Sequence, residues 1–167
     1  MPPAALRDAA PGDALNLARL HRTARAAALP GLREVHSEAE VAHWLATTLM
    51  ARHAVRVAVV AGQPVGYVGH GLDPRHGPML LHLYLEPGWW RRGLGSRLLG
   101  EALAAHGGRL SLFCIARNTA ARRFYEHHGF RVAGSSDGAG TEEGEPDILY
   151  VRNAALPHDQ HRTGEHA

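Results

Sequence analysis

Leu83-Tyr84-Leu85-Glu86-Pro87-Gly88-Trp89-Trp90-Arg91-Arg92-Gly93-Leu94-Gly95-Ser96-Arg97-Leu98-Leu99 is the stretch on which the reading of this chain turns. An apolar run from Met79 to Leu85 reads as a strand and is closed by Glu86-Pro87-Gly88. A glycine turn then opens an amphipathic helix, with Leu94, Leu98, Leu99, Ala102 and Leu103 on one side and Gly107-Gly108 as its stop. The first turn of a helix carries unpaired N–H groups and partial positive charge. Gly93 and Gly95 lack a Cβ and let a ligand approach the backbone, and Arg91, Arg92 and Arg97 add positive charge. The combination suits a pyrophosphate. A dinucleotide-binding oxidoreductase would want a third glycine where Leu98 stands, and its motif would come earlier in the chain.

Outward from that stretch the chain alternates extended and helical patterns. Ala4 to Asp8 reads as a first strand, and Pro11-Gly12-Asp13 opens a helix carrying Leu17, Ala18, Leu20 and Ala24, which ends by Leu29-Pro30-Gly31. Ser37-Glu38-Ala39-Glu40 has the form of a capping box and starts a helix with Val41, Trp44, Leu45 and Leu49 on its apolar face. Val55 to Val60 and Val65 to Leu72 flank a turn and form a hairpin. Arg109 to Ile115 is a strand, Asn118 to His128 a helix, and Phe130 to Ala133 and Ile148 to Val151 the last strands. The acidic, glycine-rich stretch Ser136 to Pro146 is expected to be a mobile loop.

At 167 residues the chain is expected to hold one domain, residues 1–153, followed by a polar tail at 154–167. No apolar run approaches the roughly 20 residues that span a bilayer, and the N-terminus lacks the basic start and apolar core of a secretory signal. The expectation is a cytoplasmic protein without a membrane partner. There is no lysine, so Schiff-base chemistry and the G-x-x-x-x-G-K-[ST] phosphate loop are excluded. The single cysteine, Cys114, excludes an intrachain disulfide and a cysteine-based zinc site. A formal net charge of +2 and the absence of a basic tract give no reason to expect a nucleic-acid partner. The tail histidines His158, His161 and His166 are read as solvated, so no metal is expected.

The later segment Asn118-Thr119-Ala120-Ala121-Arg122-Arg123-Phe124-Tyr125-Glu126-His127-His128-Gly129-Phe130 adds a second motif. Asn118 is a good helix N-cap, Tyr125 lies about two turns further along nearly the same face, and Gly129 ends the helix. The two segments together resemble the GCN5-related N-acetyltransferase (GNAT) superfamily. Leu85-Glu86-Pro87 followed by Arg91-Arg92-Gly93-Leu94-Gly95-Ser96 is similar to its acyl-CoA loop. Asn118, Ala121, Phe124, Tyr125, Gly129 and Phe130 are in register with its later motif. Trp90 stands where the family usually has Gln or Arg.

The resemblance implies an α+β fold, an α/β/α sandwich. Its mixed, mostly antiparallel sheet has about seven strands, splayed between the fourth and fifth, and about four flanking helices. It implies acetyl-CoA as cosubstrate, without a metal, and direct acetyl transfer to a primary amine. By that analogy Leu83, Tyr84 and Leu85 offer main-chain bonds to the pantetheine arm, and Asn118 joins them. The amides of Arg91, Arg92, Gly93, Leu94, Gly95 and Ser96 hold the diphosphate, and Arg122 or Arg123 is a candidate contact for the adenosine phosphate. Tyr125 matches the family's helix tyrosine and is the expected acid for the departing thiolate. His82, on the fourth strand, is the candidate base, with Glu34, His36, Tyr84 or a water chain as alternatives; a bulge in that strand would turn His82 to the other face. The acceptor, a small-molecule or peptide amine, is expected between the first two helices and the acidic loop bearing Asp137, Glu142, Glu143 and Glu145. A monomer or homodimer is expected. A non-catalytic acyl-CoA-binding module of the same fold is the competing reading.

Overall fold

The computed structural model describes residues 3–154; the tail expected at 154–167 lies almost wholly outside them. The strands are β1 (Ala5–Asp8), β2 (Ala54–Val60), β3 (Gln63–Asp73), β4 (Gly77–Leu85), β5 (Leu110–Ile115), β6 (Arg131–Ser136) and β7 (Asp147–Arg152). The helices are α1 (Ala14–Ala28), α2 (Glu38–Trp44), α3 (Met50–Arg52), α4 (Leu94–Ala105) and α5 (Thr119–His127). A π-helical turn, Leu45–Leu49, joins α2 to α3, so these form one helical run that the sequence pattern read as a plain helix. Ser37 caps it as expected, its hydroxyl accepting from the Glu40 amide. No helix among the described residues is long and apolar enough to cross a membrane.

The strands make one sheet in the order β1-β2-β3-β4-β5-β7-β6. Every neighbouring pair is antiparallel except β4–β5, which is parallel and joined at a single position, Met79 opposite Ser111. Beyond that point the strands part, and the β5-facing edge of β4 from Leu81 to Leu85 has no strand neighbour among the described residues. This is the fold expected from the resemblance, including the splay.

Helices cover both faces. On one, α1 and the α2–α3 run bury Leu17, Leu20, Leu45 and Leu49 against Val57 and Tyr67. On the other, α4 buries Leu98 and Leu99 against a cluster that includes Leu110, Leu112, Phe130 and Tyr150. The apolar face read for α2 is split at the π turn. Leu45 and Leu49 are fully buried, whereas Trp44 is 41% exposed and turns out of the core.

β4 carries a bulge. Gly69 of β3 pairs with His82 and His70 with Leu80, leaving Leu81 unmatched. Strict alternation would place His82 on the side of Leu80. Instead Leu80, Leu83 and Leu85 pack beneath α4, while Leu81 and Tyr84 pack beneath α1, and His82 contacts α1 as well. The extra residue therefore decides which side of the sheet His82 serves.

Leu98 is fully buried in the α4 cluster. Leu98→Ala is expected to cost about 2–5 kcal/mol, read as a lower urea midpoint at unchanged m-value.

Candidate functional site

The first half of the site is the gap beside β4. In an antiparallel pair, hydrogen-bonded positions recur every second residue. The Glu86 amide donates to the Val65 carbonyl at 2.9 Å, which makes Tyr84–Tyr67 and His82–Gly69 the bonded pairs and turns the peptide groups of Leu83 and Leu85 toward the gap. Tyr84 is thereby corrected: its main chain is committed to β3, and what it offers the site is its ring. The Leu85 carbonyl accepts from the Trp90 indole N–H at 3.1 Å. Trp90 therefore braces the strand end at the position where Gln or Arg was expected. Trp89 packs on the α4 cluster, and the Arg92 guanidinium lies 5.3 Å from the centre of its ring.

The connection into α4 uses left-handed backbone at two residues, Arg91 (φ 59°) and Gly93 (φ 83°). Glycine adopts this freely, and arginine does so at some cost. Backbone turned this way directs successive N–H groups to one side and makes an anion-binding concavity. It feeds the first turn of α4, whose amides have no helical acceptor. A Cβ built on Gly95 would meet Phe124 no closer than 3.5 Å, ordinary contact, and one on Gly93 would meet nothing within 4 Å. Protein packing therefore does not require bare backbone at Gly95, whereas the approach of a ligand would. These residues fit a coenzyme A diphosphate. The Ser96 hydroxyl lies 3.0 Å from His128 Nε2, which ties the first turn of α4 to the end of α5.

Asn118 caps α5 as expected, its Oδ1 accepting from the Ala121 amide at 3.2 Å. Arg122 is a strut, donating through Nε to the Tyr150 hydroxyl and through Nη1 to the Ala116 carbonyl. Tyr125 packs its ring against Phe124, Phe130 and Tyr150. Among the described residues its hydroxyl has no hydrogen-bond partner. Burial pushes the Tyr125 phenol well up, and so do its neighbours Cys114 on β5 and Tyr84 on β4. The Tyr125 side chain packs on the cluster that holds Cys114 of β5 and Leu83 and Leu85 of β4, the strands that part at the splay. Burial also pushes the Cys114 thiol up to about 11, so it is neither a nucleophile nor a thiolate ligand near neutrality.

The second half lies on the α1 face of β4. A cleft of about 520 Å³ is lined by His21, Arg25, Trp44, His82 and Tyr84, with Glu34, Val35, His36, Glu40, Val41, Glu142 and Glu143 toward its rim. His82 sits amid aromatic rings: His21 and Trp44 stack on it at 5.3 and 5.2 Å, Tyr84 meets it edge-on, and the Tyr67 hydroxyl lies 2.9 Å from its Nδ1. Glu34, His36 and Tyr84, named as alternatives to His82, all line the same cleft.

The acidic loop between β6 and β7, expected to be mobile, is tied down by charge. Glu143 pairs with Arg25 at 2.9 Å, Glu142 with His36 at 3.2 Å, and Glu145 with Arg117 at 3.0 Å. The loop itself carries no basic residue, and its partners Arg25, His36 and Arg117 stand far away in sequence.

Sequence reasoning missed His21, Arg25, Trp44 and Tyr67. Nothing local marks them: His21 and Arg25 look like ordinary positions on α1, and Trp44 like part of an apolar stripe. The spacing of four between His21 and Arg25, which puts both on one helix face, was the only available signal.

Burial lowers His21 to about 3, helped by His82 and Arg25, and lowers His82 to about 4, helped by Arg25. Both are neutral in the native protein and take up protons readily once unfolded. Their contribution to stability is therefore complete above about pH 6.5 and lost as pH falls toward 4. Urea unfolding is expected to show stability falling by a few kcal/mol from pH 6.5 to 4, already visible above pH 5 where few carboxylates titrate. His21→Phe is expected to flatten that slope.

Residues 51–132 match the model of the acetyltransferase (GNAT) domain. A probable N-acetyltransferase of Mycobacterium tuberculosis is 36% identical over 81 residues, an alignment covering 47% of each chain, so the match spans about half the length of that relative. A GNAT-family acetyltransferase of Streptococcus pneumoniae shares the fold at a TM-score of 0.64 with 27% identity, over 91% of this chain and 99% of that one. The PaiA N-acetyltransferase of Thermoplasma acidophilum, solved in complex with coenzyme A, superposes at a TM-score of 0.67 with 19% identity, over 90% of this chain and 98% of that one. With the splayed sheet, the glycine turn into α4 and the Asn118–Tyr125 helix, these matches support the GCN5-related N-acetyltransferase superfamily as the family of this chain.

Proposed function

We propose that this protein is an N-acetyltransferase that moves the acetyl group of acetyl-CoA directly to a primary amine. The observation that carries the reading is the division of β4. Its free edge opens on a gap that ends at the α4 amides, and its α1-side face lines a separate cleft beside that gap. Two reactants can thus meet across one strand, which suits direct transfer between them.

When bound, acetyl-CoA supplies the activated acyl group as a thioester. The amides of Arg91 to Ser96 receive the diphosphate. The Leu83 peptide group, the Leu85 N–H and the Asn118 side-chain amide orient the pantetheine arm. Tyr125 is the acid. Its phenol stays protonated across the working pH range because burial raises it. A phenol near pKa ~10 is already a weaker acid than a thiol near ~8.5. Tyr125 therefore acts through a hydrogen bond to sulfur that strengthens as negative charge develops, with little proton transfer before the bond breaks.

The amine must arrive or become neutral. Deprotonating an alkyl ammonium of pKa ~10.4 at pH 7 costs about 4–5 kcal/mol. The proton leaves either to His82, neutral in the cleft, or to water running out to the rim. The cleft carries Glu34, Glu40, Glu142 and Glu143 against Arg25 and His36, a balance that favours a cationic small-molecule or peptide amine.

Thiol release from acetyl-CoA with a panel of amines tests the activity; tight binding of acetyl-CoA without turnover would instead mark a non-catalytic binding module. Tyr125→Phe is expected to lower kcat by roughly 10²-fold, with its loss constant between pH 6 and 9. Gly95→Ala is expected to leave the thermal midpoint of the free protein unchanged and to raise KM for acetyl-CoA about tenfold, some 1.4 kcal/mol of binding.

A further inference from the structure

A hydrogen bond joins Tyr67 to His82 across the β3–β4 ladder. Tyr67 lies in the middle of β3 and is 0% exposed, so water does not reach its hydroxyl. Its one hydrogen-bond partner among the described residues is His82 Nδ1, at 2.9 Å. A phenol O–H that cannot reach water must donate to that nitrogen or remain a buried donor without an acceptor, which is the costly alternative. Nδ1 accepts only through its lone pair, so the ring hydrogen of neutral His82 resides on Nε2. The stacked rings of His21 and Trp44 fix the plane of the imidazole. With Nδ1 turned into the sheet, Nε2 on the other side of the ring is left to the cleft, and it has no protein partner among the described residues.

We infer that Tyr67 is a positioning residue that holds His82 in its Nε2–H form, so that His82 meets the acceptor as a hydrogen-bond donor and selects amines bearing a hydroxyl or carbonyl oxygen a few bonds from the nitrogen. The purpose of this arrangement rests on the transferase reading; the tautomer itself does not. An Nε2 that already carries hydrogen cannot take the amine's proton. Of the two routes for that proton, the inference selects water running to the rim. A plain alkylamine would set methylene groups against the Nε2–H and leave it unpaired, whereas an amine with an oxygen in reach would satisfy it. Arg25 and Tyr84 supply further donors beside His82, so the inner wall of the cleft is rich in donors while its rim is rich in carboxylates.

Two measurements decide the inference. In histidine-¹⁵N-labelled protein at pH 7, long-range ¹H–¹⁵N correlation is expected to show His82 with bare Nδ1 and protonated Nε2 at a ratio of about tenfold or more; His82→Leu assigns the signal. Tyr67→Phe is expected to convert that signal to a mixture of tautomers. Protonated Nδ1 or an imidazolium in the native protein overturns the inference. For selectivity, kcat/KM is compared between 2-aminoethanol and propylamine, and between 3-amino-1-propanol and butylamine. The better oxygen-bearing amine is expected to lead its alkyl counterpart at least tenfold. That lead is expected to vanish in His82→Leu and to return in part in His82→Gln, which restores an N–H donor.

Equal rates for both members of each pair overturn the inference and leave the transferase reading standing. If no amine turns over, the transferase reading fails by itself, and the His82 Nε2 resonance is followed while the same amines are titrated. A shift with the amino alcohols alone supports the donor role, and its absence overturns it.

Discussion

The single pairing between β4 and β5 is the constraint on which the remaining architecture depends. A sheet that zipped these strands together would satisfy the edge of β4 and close the molecule. Here Met79–Ser111 is the only paired position, and the peptide groups of Leu83 and Leu85 are left facing a gap. Buried main-chain donors and acceptors need partners, and unpaired strand edges invite them. The protein answers locally at one group, where Trp90 caps the Leu85 carbonyl. The wedge is kept open by chemistry from both sides: α5 brings Tyr125 and Phe124 into the cluster beneath β4, and β5 contributes Cys114.

The second constraint is the extra residue at Leu81. Without it β4 would offer one regular side-chain alternation, and His82 would be packed under α4 beside Leu80. With it, Leu81, His82 and Tyr84 all serve the α1 side, while Leu80, Leu83 and Leu85 hold α4. One strand thus provides an open edge, an apolar face for a core and a polar aromatic face for a cleft. Bulges are common where a strand must redirect a side chain. Here the redirected side chain is the one surrounded by His21, Trp44, Tyr67 and Tyr84.

The parts of this molecule that were legible in sequence are those that local physics controls. Apolar periodicity located the strands and helices to within a few residues. Bare backbone at Gly93 and Gly95, next to a strand end, marked the turn into α4, and the Asn118 cap is as expected. The parts that were not legible depend on partners distant in sequence. The carboxylates of the β6–β7 loop looked solvated because Arg25, His36 and Arg117 lie 28 or more residues from them. Arg122 looked available because the Tyr150 hydroxyl that holds it comes from β7. Tyr84 was misassigned because the parity of a ladder follows from its register, which no strand reveals alone. The π turn that frees Trp44 from the core has no turn residue to mark it.

The two imidazoles of the cleft stay neutral although charged groups surround them. His21 and His82 are held uncharged, and Arg25 contributes to both effects. Arg25 also joins four parts of the chain, since it rises from α1 to the Tyr84 hydroxyl on β4, to Glu34 in the following connection and to Glu143 in the β6–β7 loop. One planar guanidinium cannot serve all three with good geometry. It makes its short contact to Glu143, at 2.9 Å, and stands 3.5 Å from Glu34, where Arg25 Nε and Glu34 Oε1 are both buried without a hydrogen bond. The geometry therefore favours closure of the loop over full satisfaction of Glu34, and the same cation that fastens the loop adds to the burial that keeps the neighbouring imidazoles neutral.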